Sequence, residues 1–483
     1  MCVLGKIIPA DVSQETRLDS VAPVVARGMS LPTCRVAAVA RRDGWRKFGE
    51  PARRCPAVPV SFSLAPLNPR GDVVTAVAYL DYNATAPLRP EALSAMLPVL
   101  QSVGNAASPH VLGRESAALV EAGRRQLADL LCCSPGELVF TSGATEANNM
   151  ALRAASTRAS RLITSAVEHP AVLQTARALA RERGLEVTVL PVSRDGQLLR
   201  DAFHEALQGD SPAVVSIMAA NNETGTLFDL EEIIEVAHRG NAIVHTDATQ
   251  LIGRLPFDLS VVDVDLLSLS AHKFGGPQGV GALFIRRSLG LPESPLLFGG
   301  GQENGWRAGT LNVAGIVGVG AAAAAAQEGL VVEAGRVADL RDLLERSLLT
   351  QIRGAHVNGY LQRRLPNVSS VTFPGAPADA VLARMHEVAA SDGSACSSGS
   401  PLPSHVLLAM GRTVEEAEST IRFSLGYGTT REHVKLAAEA VERAVKEVRA
   451  AVGPEESAGP GAGRPDCDAI VVSPTGGGTI TRG

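Results

Sequence analysis

The run Ser268-Leu269-Ser270-Ala271-His272-Lys273-Phe274-Gly275-Gly276-Pro277 sets hydroxyls, an imidazole and an amine side by side. A mostly apolar stretch from Val264 to Leu269, broken by Asp265, predicts a buried parallel strand leading into them. Gly275, Gly276 and Pro277 force a turn before the next strand, Gly281 to Ile285. A lysine just past a strand end sits where open α/β sheets bind ligands. To form a Schiff base its pKa must fall from about 10.4 towards neutrality, roughly 4 kcal/mol of environment. Taken alone, Lys273 is an ordinary surface lysine. Four other strand ends change that reading.

Thr141-Ser142-Gly143-Ala144-Thr145-Glu146 joins a strand to a helix, and free N–H groups with a positive dipole end suit a phosphate there. No GKS or GKT follows, so it is not a Walker motif. Asp247-Ala248-Thr249-Gln250 ends another strand and offers a carboxylate and an amide to a protonated ring nitrogen and a ring oxygen. Its bland alternative is an N-cap. His169, after Ser165-Ala166-Val167-Glu168, is a loop histidine or a ring-stacking acid–base group. Asn221-Asn222-Glu223-Thr224-Gly225 is a turn or a further wall. Such ends on one parallel sheet face one crevice. A phosphate cradle, a ring-nitrogen carboxylate, an aromatic stacker and a lysine together describe a pyridoxal phosphate site.

The elements that must position these groups alternate. A helix carries Pro90 at its first turn, with Ala92, Met96, Leu97 and Leu100 on one face, and a second runs from about Arg114 to Leu131. Strands at Glu137–Phe140, Arg161–Ser165, Glu186–Val192, Ala213–Ala219 and Ala242–Thr246 interleave with helices, which predicts an α/β fold with a mostly parallel sheet. The uncharged run Ala308–Ala326, rich in Gly and Ala, reads as a buried helix rather than a membrane span. After it come a strand at Val368–Phe373, a short helix at Asp379–Met385 capped by Asp379, and a strand at Ile421–Leu425. A last helix follows at Glu432–Val452. These predict a smaller α+β domain.

The expected division is an extension over 1–78, a segment 79–91 joining the small domain, a large domain 92–330, a small domain 331–452 and a disordered tail 453–483. The extension reads as disordered, as a targeting segment, or as sequence upstream of the true start. Its acidic residues Asp11, Glu15, Asp19, Asp43 and Glu50 argue against a transit peptide. A net charge of −5 and the absence of a basic stripe argue against nucleic acid. Seven cysteines without a CxxC pair fit neither a disulfide scaffold nor a zinc site, and Cys132-Cys133 read as packing residues. A cytoplasmic location is expected, an organellar one being the alternative if 1–78 is a transit peptide.

The motifs quoted above, with Tyr82-Asn83-Ala84-Thr85, Gly299-Gly300-Gly301-Gln302-Glu303, Arg307-Ala308-Gly309-Thr310, Gly393-Ser394-Ala395-Cys396 and Arg422-Phe423-Ser424-Leu425-Gly426, resemble the cysteine desulfurases over about 79 to 452. The resemblance implies a homodimeric fold-type-I, class V aminotransferase-like enzyme with a seven-stranded-type sheet and pyridoxal 5′-phosphate held by Lys273. It implies that His169 stacks on the ring, Asp247 pairs with the ring nitrogen, and Asn222 and Gln250 reach its oxygen. Ala144, Thr145, Ser270 and His272 would bind the phosphate, joined by Thr310 of the partner subunit. Arg422 and Asn83 would meet the substrate, L-cysteine. Cys396, in a Gly/Ser-rich loop, would take the sulfur as a persulfide and pass it to an acceptor or iron–sulfur scaffold protein. Transfer of a [2Fe-2S] cluster through Cys396 is a further role within that likeness. Three departures stand out: Asn105-Ala106-Ala107-Ser108-Pro109-His110 replaces Asn-Pro-Ser-Ser, Asp392 replaces a serine, and Ala271 replaces a glycine. A selenocysteine lyase or another class V aminotransferase-type enzyme is the alternative.

Overall fold

The computed structural model describes residues 77–392 and 402–452. The expectations for 1–76, for the loop carrying Cys396 and for 453–483 lie outside the described residues.

A short strand, β1 (Ala78–Tyr79), precedes two helices, α1 (Pro90–Gln101) and α2 (Val111–Leu131). Strands and helices then alternate as β2 (Leu138–Thr141), α3 (Ala144–Ala155), β3 (Arg161–Ser165), α4 (Pro170–Arg183), β4 (Glu186–Leu190) and α5 (Arg200–Ala206). They continue as β5 (Ala213–Ser216), α6 (Leu230–Arg239), β6 (Ile243–Asp247), β7 (Leu266–Ser270) and β8 (Gly281–Ile285). The strands make one seven-stranded sheet in the order β2-β8-β7-β6-β5-β3-β4. Pairing is parallel throughout except at β8, which runs against both neighbours. Because two reversals cancel, β2 points the same way as β7, and its C-terminal end opens on the same edge. Every residue of β2, β5 and β7 is buried, which is why these strands read as near-continuous apolar runs.

Local chemistry moves several boundaries. The strand before Lys273 begins at Leu266 because the Asp265 carboxylate accepts from Val244 N at 2.8 Å and meets His238 Nε2 at 3.0 Å. It runs through Ser270, carrying that hydroxyl to the sheet edge. Helix α2 starts at Val111, earlier than Arg114, because the His110 ring caps it by accepting from Gly113 N. On α1 only Ala92 is buried; Leu97 and Leu100 are 47% and 63% exposed, so the face expected in the core looks outward. Cys132 is also exposed, closing α2 in the left-handed conformation at φ 53°, which corrects its reading as a packing residue.

The uncharged run becomes α7 (Val313–Gln327) only after Asn312, whose side chain accepts from Gly315 N at 2.9 Å. Its Gly/Ala composition has a steric cause: a Cβ on Gly320 would lie 2.6 Å from Gly123 Cα of α2. A kink of 75° separates α7 from α8 (Leu330–Gln351), and no single helix among the described residues is long and apolar enough to cross a membrane.

The remaining elements are β9 (His356–Asn358), β10 (Val368–Thr372), α9 (Ala378–Leu382), β11 (Val388–Ala389), β12 (Ser391–Asp392), α10 (His405–Ala409), α11 (Val414–Glu418), β13 (Thr420–Ser424) and α12 (Arg431–Val452). Helix α9 follows Pro377, and Asp379 lies inside it rather than capping it; its carboxylate accepts from Ala380 N. An antiparallel sheet, β12-β13-β10-β9, shares a core with α8 and α12 built on Leu344, Phe373, Phe423 and Val441. Ala78 and Leu80 belong to this core, and β1 pairs with β11. The chain between β1 and α1 therefore leaves the smaller core and passes directly over the edge of the large sheet, at Asn83 and Ala84.

Candidate active site

At the carboxyl ends of β2, β5, β6 and β7 lies a cavity of about 360 Å³. Its walls include Ala144, Thr145, His169, Asn222, Asp247, Gln250, Ser270, His272 and Lys273. Asn83, Thr310 and Arg422 are not on this wall. Asn83 and Arg422 stand behind it, whereas Thr310 is exposed elsewhere on the surface. Cys396 lies outside the described residues.

Lys273 follows β7 on a single 3₁₀ turn, and its Nζ donates to Asn83 O at 2.6 Å and Ala84 O at 2.8 Å. Two backbone oxygens thus hold the amine at the cavity floor. Beside it, His272 Nδ1 meets Thr85 Oγ1 at 3.1 Å. Burial, helped by the nearby charges of Lys273 and Arg254, pulls the His272 imidazole down to about 4, so the ring is neutral at pH 7.

Asp247 is fixed at both oxygens. Asn148 Nδ2 donates to one at 2.7 Å and Thr249 N to the other at 3.0 Å. Asn148 lies on the first turns of α3, so the helix whose N-terminus lines the cavity also aims this carboxylate. Gly143 caps α3 without a side-chain bond, leaving the helix N-terminal amides facing the cavity. Gly281 of β8 passes so close that an added Cβ would sit 2.6 Å from Gly143 Cα and 2.5 Å from Leu269 O.

His169 caps α4, and its Nδ1 accepts from Ala171 N at 3.0 Å. A neutral ring in that pose carries its proton on Nε2. Burial lowers its pKa against the pull of Asp247, which keeps it neutral. Below it, Glu168 is fully buried; its Oε1 accepts from Ser165 Oγ and Met218 N at 2.8 and 2.9 Å. Burial pushes this carboxyl up to about 8. Arg422 Nη2 pairs with Asp81 at 2.9 Å, and its Nη1 donates to Asn222 O at 3.2 Å, so the guanidinium reaches the cavity through Asn222. Asn83 Nδ2 donates to the same carbonyl at 2.9 Å.

Sequence reasoning missed Asn148, Thr249 and Arg254. Asn148 stands one helical turn after Ala144, on the face that must meet the sheet, so spacing carried a signal. Arg254 follows Gln250 at the same interval.

The cavity accepts a ring bearing a phosphate. Helix N–H groups lie at one end, a doubly oriented carboxylate at another, and an amine on the floor. Thr249 Oγ1, buried on the wall, makes no hydrogen bond among the described residues and awaits a polar partner.

A family model for class-V aminotransferases matches residues 78–436. The cysteine desulfurase IscS of Dictyoglomus turgidum is 43% identical over 378 residues, covering 77% of this chain and 95% of that protein. A solved NifS-like protein superposes with a TM-score of 0.71 at 36% identity, covering 77% of this chain and all of the other. The structure described as SspA in complex with cysteine superposes at 0.63 with 33% identity, over 72% of this chain and 98% of its own. With a family model matched over residues 78–436, a shared fold and likeness across nearly the whole length of these relatives, the chain belongs to the class-V aminotransferase family, among its cysteine desulfurases.

Proposed function

We propose that this protein is a pyridoxal 5′-phosphate-dependent cysteine desulfurase that converts L-cysteine to L-alanine and keeps the sulfur as a persulfide on Cys396. The observation that carries the reading is the meeting of Lys273, His169 and the twice-anchored Asp247 in one cavity at the sheet edge. Bound there, the cofactor supplies an electron sink for the bond-breaking at the substrate's α- and β-carbons.

The chain's own residues do the rest. Lys273 would hold the cofactor, and its Nζ is the base that would take the substrate's α-proton. Asp247 keeps a proton on the ring nitrogen, and the hydrogen bonds from Asn148 and Thr249 stop it from turning away. Asn222 and Gln250, on the cavity wall, would meet the ring oxygen. Ala144, Thr145, Ser270 and neutral His272 receive the phosphate, with Thr310 of a partner subunit completing the cradle. Arg422, braced by Asp81 and backed by Asn83, clamps the substrate carboxylate.

The Cys396 thiolate attacks the substrate sulfur. An S–S bond forms, the Cβ–S bond breaks, and its electron pair remains on carbon. His169, whose ring proton sits on Nε2, would give the proton that carbon then needs. No outside oxidant is required, since one thiol and cysteine become one persulfide and alanine.

The outward apolar residues of α1 and α2, with Phe298 88% exposed, support a homodimer. A thiol nucleophile suits a reducing compartment, and we place the enzyme in the cytoplasm, delivering sulfur to an acceptor protein. The test is alanine release by the cofactor-loaded full chain with L-cysteine and with L-selenocysteine in parallel. Turnover of L-cysteine that is lost in Cys396→Ala supports the proposal. Turnover of L-selenocysteine alone overturns it in favour of a selenocysteine lyase.

A further inference from the structure

Gln250 lies on the cavity wall between Asp247 and the Asn83–Ala84 segment, and what it offers a ligand depends on which way its amide points. An oxygen facing the cavity would repel an anionic ring oxygen, whereas an NH₂ would bind it.

Arg254, one turn further along, decides the matter. Its Nη1 donates to Gln250 Oε1 and, at 3.2 Å, to Gln250 O; its Nη2 donates to Tyr82 O at 3.1 Å and Lys273 O at 3.3 Å. All these acceptors are carbonyl oxygens, and no carboxylate lies within ion-pair distance of Arg254 among the described residues. A flipped amide would set NH₂ against guanidinium, donor against donor. With Oε1 so engaged, Nε2 spends one hydrogen on Asn83 O at 3.1 Å and keeps the second.

We infer that Arg254 is a positioning residue that locks the Gln250 amide with its spare N–H towards the cofactor's ring oxygen, making this wall a donor to an anion. The inference rests on the pyridoxal phosphate reading of the cavity and goes beyond it by assigning a function to a side chain outside the cavity wall. The same guanidinium ties the carbonyl of Lys273 to that of Tyr82, so one group sets the lysine's backbone and the amide's orientation. Burial and Arg422 pull Arg254 down to about 9, which leaves it charged at neutral pH.

The ring oxygen's anionic form is stabilised by an N–H donor, which lowers the pH at which the bound cofactor's visible band changes. The experiment is a spectrophotometric pH titration of that band in cofactor-loaded full-length protein as a double-mutant cycle: wild type, Gln250→Ala, Arg254→Met and both together. Gln250→Ala and Arg254→Met should each raise the transition by about one unit, a tenfold gain in proton affinity. The double variant should rise little beyond either single one, because both remove the same donor. Arg254→Lys keeps the charge without the fork, and should shift the transition nearly as far as Arg254→Met. It also replaces Arg254→Met in the cycle should the latter fail to fold.

Additive shifts, or an unshifted Arg254→Lys protein, would mean that Arg254 acts by charge alone and would overturn the inference. Wild type without any visible band would instead defeat the cofactor reading itself.

Discussion

Replacing Lys273 by Ala removes the only lysine amine on the cavity wall among the described residues. Alanine production should fall by about a thousandfold or more while the melting temperature changes little, since the lysine's bonds end on backbone carbonyls and Asn83 O keeps its hydrogen bond from Gln250 Nε2. Steady-state alanine assays beside thermal melts check both halves. Glu168 makes a prediction in pH. Its folded pKa, about 8, is far above that of an unfolded carboxyl, so its contribution to stability is complete below the unfolded value and is lost as pH rises through 8. His245 has the opposite sign: buried between Ser216 and Ser268, and pulled down to about 4, it costs stability as pH falls from about 6.5 towards 4. Wild-type melting temperature should therefore drop on both sides of a maximum in mildly acidic to neutral solution. Glu168→Gln should flatten the alkaline side alone, by several degrees at pH 9, in melts across a pH series; an unchanged alkaline limb would contradict the buried-carboxyl assignment. At this scale the sequence was legible where a residue's type suited a strand end, as with Lys273, Asp247 and His169. It was silent on Arg254, because an arginine after a strand carries no mark of whether it will find carboxylates or only carbonyls.

Among elements, α3 presents its N-terminus to the cavity and Asn148 to Asp247, and in the proposed site its amides would meet the phosphate. Asn148→Ala leaves the Asp247 carboxylate short of one buried partner, which costs about 1–3 kcal/mol. The account predicts weaker cofactor retention on dialysis with the chain still folded, read from the visible absorbance per protein. The β7–β8 pair offers a sharper steric case. A methyl group at Gly281 meets two stretches of backbone, neither of which can swing aside as a side chain would. Gly281→Ala should therefore distort the α3 cradle, losing most phosphate-group affinity and several degrees of melting temperature. An alanine variant that binds cofactor as wild type does would refute the close approach. Much of this level could be read in advance, since alternation of apolar strands with helices dictates a parallel sheet and its ligand edge. Boundaries slipped where a side chain competed with the backbone: Asp265 delayed β7, His110 advanced α2, and Asn312 set the start of α7. The reversal of β8 was not legible, because a buried antiparallel strand has the same apolar composition as a parallel one.

For the whole molecule, the apolar face of α1 tells most. Its periodicity fits a buried helix, yet Leu93, Leu97 and Leu100 are exposed, and Val111 and Leu112 of α2 and Phe298 add to the surface. A second copy of the chain is the occupant we propose for this face. Light scattering should give about twice the 50.2 kDa chain mass, and Leu97→Glu with Leu100→Glu should give monomer with sharply reduced activity. A monomeric wild type with full activity would contradict this. The end of β12 pairs with β13 beside Arg422, and His405 Nε2 meets Glu168 O at 3.0 Å, so the described residues on both flanks of the Cys396 region lie beside the same cavity. The transfer of sulfur from substrate to that cysteine is the core of the proposed reaction. It is tested most directly by intact-protein and peptide mass spectrometry after the cofactor-loaded chain is mixed with L-cysteine, alanine being counted in the same sample. The account predicts one added sulfur on the peptide containing Cys396, in step with the first alanine formed. Alanine released with Cys396 unmodified, and undiminished in Cys396→Ala, would contradict it.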